Sequence, residues 1–245
     1  MAETDTAGSV SKPRRFYAGV EIGETDGSFA ILLDNRPVRT PAKAPFVVPN
    51  RRLAEEIAVE WDAQGDHVAP ETMPLTGLAN AAIDRIGPRR ATAVDNLVSH
   101  IESDPVCFRA EAPTDLVESE SRHWDPLIEG FRTRFDVTLR LTHGLRPADQ
   151  DSAASDAVRD YALGCNDFVL TALVDSATHL GSVVVAIAAL EGDIDADSAF
   201  SAAYLEELHQ AERWGIDKAA EGRRREIRRD VETALRFAAL VRDQA

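Results

Sequence analysis

Phe16-Tyr17-Ala18-Gly19-Val20-Glu21-Ile22-Gly23-Glu24-Thr25-Asp26-Gly27-Ser28-Phe29-Ala30-Ile31-Leu32-Leu33-Asp34-Asn35 carries a two-residue period that is rare elsewhere in the chain. Phe16, Ala18, Val20 and Ile22 alternate with Tyr17, Gly19 and Glu21, and Phe29, Ile31 and Leu33 alternate again after a turn read over Gly23–Gly27. Asp34-Asn35 reads as a second turn, followed by a short extended run at 37–40. Pro41, Pro45 and Pro49 then confine Phe46-Val47-Val48 to an extended edge role. From Asn50 onward the apolar spacing changes to three and four. Leu53, Ile57 and Trp61 form one stripe behind an Asn50 cap, ended by Gly65. Leu75 to Ile86 form a second stripe, stopped by Gly87-Pro88. Ala91 to Ile101 form a third, stopped near Asp104-Pro105.

The middle is less regular. A helix starts at Thr114 and meets Pro126, and Val137, Leu139 and Leu141 alternate as a lone strand placed to complete the N-terminal sheet. The last third reads as a helix near 151–163, an apolar helix over 167–191, a helix from about 196 to Trp214, and a final arginine-bearing helix. The resulting fold class is α+β. A disordered N-terminus spans 1–14, a small antiparallel β-rich α+β domain spans 15–75, and an all-α, orthogonal-bundle-like domain spans 76–245.

The 245 residues contain 42 acids against 27 bases, a net charge of −15. Such a balance disfavours nucleic acid and anionic membrane and favours a basic or mixed-charge surface, beyond its effect on solubility. Phe168–Leu190 is long enough to span a bilayer, but Asp175 at its middle would cost about 2.5–3.5 kcal/mol there, so it reads as a buried helix. Cys107 and Cys165 form no CxxC pair and read as thiols in a reducing compartment. The acidic start, without an apolar or arginine-rich leader, reads as a cytoplasmic bacterial protein.

Motifs for small-molecule chemistry are absent from the sequence: no GxSxG, GxxxxGK[ST], GxGxxG or HExxH, and no zinc-spaced Cys/His set. Asp193, Asp195 and Asp197 lack the glycine and bidentate glutamate of a calcium loop and read as a helix cap. The arginines at 223–229 read as a solvated face paired with Glu221, Glu226 and Asp230. Neither a metal nor a cofactor is implied. Instead, mixed polar and aromatic runs stand out. Trp61-Asp62 and Trp124-Asp125 pair an indole with a carboxylate. In Leu205-Glu206-Glu207-Leu208-His209-Gln210-Ala211-Glu212-Arg213-Trp214-Gly215, Glu207, Gln210, Ala211 and Trp214 share one quadrant of a helix beside Tyr204 and Leu208. Such a surface buries a flat ring and presents an anion, which suits a protein partner.

RFYAGVEI with ILLDNRPVRTPAKAPFVVP, then LAEEIAVEWDAQGDHVAPETMPLTGLANAAIDRI, DPVCFRAEAP, HWDPLIEGF and LEELHQAERWG run in order along nearly the whole chain. In these runs the sequence resembles the ATP12 chaperone family. The resemblance implies a non-enzymatic assembly chaperone of the ATP synthase catalytic head. Such a protein binds the free alpha subunit and shields its beta-facing surface until beta replaces it; eukaryotic relatives act in the mitochondrial matrix. It maps the family's important acid onto Glu207, with Glu212 second. The partner-binding candidates are therefore Glu207, Glu212, Gln210, Trp214, Trp61, Asp62 and Trp124, acting in a monomer. The alternative is an acid/base enzyme using Glu207 with His209 or Asp175 with His179, which requires a pocket where those groups converge.

Overall fold

The computed structural model describes residues 13–143, 149–215 and 218–242. Strands β1 (Val20–Thr25) and β2 (Ser28–Leu33) pair antiparallel from Val20↔Leu33 to Thr25↔Ser28. The turn is shorter than the sequence suggested. Gly23 to Thr25 stay in the strand, and only Asp26 (φ 50°) and Gly27 (φ 75°) turn. Asp34 (φ 48°) and Asn35 (φ 63°) make a second two-residue turn into β3 (Arg36–Pro37). Positive φ at both central positions is the twist a tight hairpin needs, and Asp, Asn and Gly tolerate it best. β4 (Val47–Val48) pairs with β2 on the same edge as β3. Phe16 breaks the expected alternation. The strand begins only at Val20, so Phe16 stays 71% exposed while Tyr17 turns inward and donates its hydroxyl to Trp61 O at 2.7 Å.

Of the stretch read as disordered, residues 1–12 lie outside the described residues. Pro13 O accepts from Val68 N at 2.9 Å, and Arg14 bridges His67.

Helix α1 (Arg51–Asp62) lays Leu53, Ala54 and Ile57 into the core beneath the sheet. Its cap, Asn50, accepts from Leu53 N and donates to Leu240 O and Val241 O, each at 2.9 Å. That one side chain ties the N-terminal part to the C-terminal helix. Glu60 reaches from α1 to cap α2 (Pro74–Ala81): Leu75 N and Thr76 N donate to its two oxygens at 2.7 and 2.8 Å, and the Thr76 hydroxyl adds 2.7 Å. The chain continues through a π-turn at Ala82–Ile86 into α3 (Arg90–Ile101), then β5 (Phe108–Arg109) and α4 (Thr114–Phe135). Pro126 neither stops nor restarts α4.

Three further differences from the sequence reading have local causes. Residues 137–141 form no strand. The Gln150 amide takes the Arg140 backbone N–H and C=O (2.9 and 2.8 Å), and only β6 (Thr142–His143) pairs, parallel to β5 and apart from the N-terminal sheet. After α5 (Ser152–Gly164), the apolar run splits at Gly181 (φ 66°) into α6 (Asp167–Leu180) and α7 (Val183–Leu190), with Ser182 capping the second. The next run splits at Tyr204 into α8 (Ala196–Ala203) and α9 (Leu205–Trp214), where the Tyr204 hydroxyl donates to His179 O at 2.8 Å. Helix α10 (Lys218–Arg242) packs along α6, with Phe168 stacked on Phe237 at 6.1 Å. The buried apolar side chains of the sheet and the helices form one continuous cluster. Among the described residues no helix is long and apolar enough to cross a membrane.

Candidate protein-binding cleft

Two walls and a floor enclose an open cleft of about 830 Å³. The first wall is Ser103 to Ala112, leading into and out of β5. It is held from inside by two acids. Asp104, 1% exposed, accepts from Ser182 Oγ (2.7 Å), Val184 N (3.1 Å) and Val106 N (3.3 Å), so it caps α7 and the turn before β5 together. Burial holds its carboxyl above the ordinary 3.8 although these donors pull the other way. Glu120 on α4, also 1% exposed, accepts from Ala110 N at 2.9 Å. Burial raises its carboxyl too; the Ala110 N–H opposes this and the Glu206 charge reinforces it.

The floor is aromatic. Trp124 on α4 is buried and donates its indole N–H to Ala202 O at 2.8 Å, pinning α4 to the end of α8. The Arg109 guanidinium lies 5.4 Å from the Trp124 ring and 2.7 Å from Asp125. Phe108 and Tyr204 complete the lining, and Tyr204 stacks on Phe200 at 4.6 Å. Cys107, within this wall, turns into the core, and burial pushes its thiol up to about 12.

The second wall is the α8–α9 junction, which presents Glu206, Glu207 and Gln210, all exposed. Among the described side chains of α9 Leu205 alone is buried, Leu208 packs half-buried against the core, and charged contacts add to these. Glu207 Oε1 lies 3.1 Å from Arg224 Nε on α10, and Asp115 on α4 lies 3.0 Å from Arg213 and 3.8 Å from His209. The arginine block therefore does not pair mainly along its own helix. Arg224 reaches α9, Arg228 reaches Asp197 on α8 at 3.2 Å, and Arg229 stays near Asp230 at 3.9 Å. Asp195 caps α8 through Ser198 N at 2.8 Å, as its position suggested.

The cleft thus brings together Glu207, Gln210 and Trp124. Glu212 is exposed on α9 outside the lining, and the Trp214 side chain lies outside the described residues. Trp61 and Asp62 are elsewhere. Trp61 is half-buried and lines a separate groove of about 510 Å³ with Phe16, Leu33 and Arg36, while exposed Asp62 lies 3.4 Å from Arg15. The enzymatic pairs do not converge in the cleft. His209 faces Asp115 rather than Glu207, and Asp175 and His179, 3.7 Å apart on α6, line neither groove. Among the described residues no group of three or more His, Cys, Asp or Glu is placed to hold a metal. The sequence reading missed Glu111, Arg109 and Phe108 as individual members. The Arg109–Asp125 pair, which joins β5 to α4, forms only in the folded chain and gave no signal in the sequence.

Known proteins share this architecture. Residues 14–132 match the family described as ATP12 chaperone protein. The solved structure of Atp12 from Paracoccus denitrificans superposes with a TM-score of 0.91 at 38% identity, covering 94% of this chain and 99% of that one. The chain belongs to the ATP12 chaperone family. A point mutant of P. denitrificans Atp12p matches equally well, over 95% of this chain and 100% of that one. Protein ATP12, mitochondrial, from Saccharomyces cerevisiae is 22% identical over 277 residues, 94% of this chain and 85% of the relative. The family match reaches the 103–112 wall and Trp124, while the α8–α9 wall lies beyond residue 132 and within the structural match. The family read from the ordered runs is thus the family of the solved relatives, and the sheet-then-helices architecture is theirs as well.

Proposed function

We propose that this protein is an assembly chaperone for ATP synthase that binds the free alpha subunit of the catalytic head and shields its beta-facing surface until beta replaces it. It acts as a monomer in a bacterial cytoplasm, without cofactor or turnover. The observation that carries this reading is the cleft. Residues from α4 and α9, singled out separately as partner contacts, line one open depression with an aromatic floor and a carboxylate rim. A few aromatic anchors supply affinity, and rim charges supply specificity and a fast encounter without sealing the complex irreversibly. That balance suits a holder that must later yield its client.

The test is capture with purified components. Tagged chaperone is mixed with alpha alone, with alpha plus beta, and with the assembled head. The reading expects a complex with alpha alone that beta dissolves. Failure to hold alpha, or equal binding to the assembled head, contradicts it.

A further inference from the structure

We propose that the cleft is a guanidinium site: in the complex it receives an arginine side chain of the client, and in the free protein the Glu207 carboxylate is held for that role by Arg224. This rests on the reading that the cleft faces an unassembled partner chain.

Charge comes first. The lining carries three glutamates, Glu111, Glu206 and Glu207, against one arginine, Arg109, a balance of −2. Arg109 is buried and already answered by Asp125 at 2.7 Å. Among the described residues Glu111 and Glu206 make no ion pair, and Glu207 makes one, to Arg224. The rim is therefore an unanswered anion in front of an aromatic floor, which selects a cation and repels an acidic segment.

Shape then separates guanidinium from ammonium. A planar, weakly hydrated cation lies flat on a ring while its edge meets a carboxylate; a compact ammonium keeps its water. The chain itself builds this arrangement twice around the cleft. Arg109 sits 5.4 Å from the Trp124 ring with its edge on Asp125. Arg228 sits 4.6 Å from the Phe200 ring with Nε 3.2 Å from Asp197, and Phe200 is the ring on which Tyr204 stacks. The cleft offers the same two parts, Tyr204 and Phe108 beside Glu206 and Glu207, without an in-chain guanidinium on the rings.

Arg224 gives the site its idle state. Its side chain is 13% exposed, against 49% for Glu207, so it neutralises the carboxylate from the buried side, in ion-pair contact at 3.1 Å without a hydrogen bond from Nε, and leaves the exposed side open. A client arginine then competes with Arg224 for Glu207 while Glu206 and Glu111 receive it outright.

The experiment uses the full chain and purified free alpha subunit, with affinities measured at low and high salt. A photo-crosslinker replacing Gln210 identifies the client segment in the cleft. Glu206→Gln with Glu207→Gln is expected to weaken binding by about tenfold or more and to flatten its salt dependence. Arg224→Gln, which frees Glu207, is expected to tighten binding a few-fold, an effect that loss of structure would not produce. An arginine in the crosslinked segment, changed to lysine or alanine, should lose most of its effect in the Glu206→Gln/Glu207→Gln background, as a double-mutant cycle reads directly. Unchanged affinity in the double glutamine variant, strictly additive effects, or full binding with lysine at that client position overturns the guanidinium site while leaving the chaperone reading intact. Failure of the unaltered chain to hold alpha overturns both, and needs no variant to see. Thermal melts confirm that each variant is folded.

Discussion

Two sets of carboxylates stand in and around the cleft, and they have opposite fates. Asp104 and Glu120 are 1% exposed; Asp104 spends both oxygens on backbone N–H and hydroxyl groups of neighbouring segments, and Glu120 gives Oε2 to the Ala110 N–H while its Oε1 is buried without a hydrogen-bond partner among the described residues. Glu111, Glu206 and Glu207 stand on the rim with one in-chain cation among them. The first set builds the cleft and the second faces whatever enters it. In sequence nothing sets the two apart: Glu120 stands between serines and Glu111 between alanines. Burial and the identity of the donor, not residue type, separate scaffold from surface.

The comparison breaks most visibly at Asp104. Asp104→Ala leaves the Ser182 hydroxyl and the N–H groups of Val184 and Val106 without their acceptor in the core, and is expected to cost about 3–5 kcal/mol by chemical denaturation. A loss below about 1 kcal/mol would mean that the interior acid is not structural. Glu60→Ala removes a cap that α2 obtains from another helix, and about 2 kcal/mol should be lost.

A smaller effect sharpens the contrast through pH. Burial raises the Asp104 carboxyl, so its folded form holds the proton more tightly than the unfolded chain. The stabilisation is therefore complete below the ordinary value of 3.8 and fades as pH rises through the raised one. Relative to Asp104→Asn, the native protein should lose part of its advantage between acid and neutral pH. Asp34, by contrast, is fully exposed, and the Gly19 and Ala18 N–H groups hold its carboxyl low. Its contribution is present above the ordinary carboxylate range and is lost as pH falls, so Asp34→Asn should show the opposite slope. Equal slopes would remove the distinction. The smallest expected change is at the rim: Glu206→Gln/Glu207→Gln should leave stability within about 1 kcal/mol, since both glutamates are exposed and only the Glu207 contact with Arg224 is lost.

Where the fold was readable, the signal was local. Asp26-Gly27 and Asp34-Asn35 are two-residue turns that favour positive φ, whereas Gly87-Pro88, read as a stop, only tightens the winding into a 3-10 turn at Gly87–Arg89 that leads straight into α3. Where it was not, the deciding contact lay far along the chain or the periodic signal was saturated. Val183 to Leu190 are all buried, so their periodicity marks no helix boundary, and the break rests on Gly181-Ser182 alone, a left-handed C-cap followed by an N-cap. Val137 to Leu141 alternates like a strand, but Gln150 takes the ladder bonds. The α9 members of the cleft were legible from helical spacing and from the ordered family runs. Its opposite wall stood among the ordered runs as DPVCFRAEAP, but the contacts that hold it did not, because Asp104 meets Ser182 across 78 residues and Arg109 meets Asp125 only once α4 has packed.

The central claim is that the rim acids serve a protein client while the buried acids serve the fold. Co-expression with the aggregation-prone free alpha subunit tests it directly, by the soluble fraction of alpha with native chain, with Glu206→Gln/Glu207→Gln, and with no chaperone. The account predicts a high fraction with the native chain and a fraction near the no-chaperone level with the folded double variant. Equal rescue by both, or none by the native chain, would contradict it.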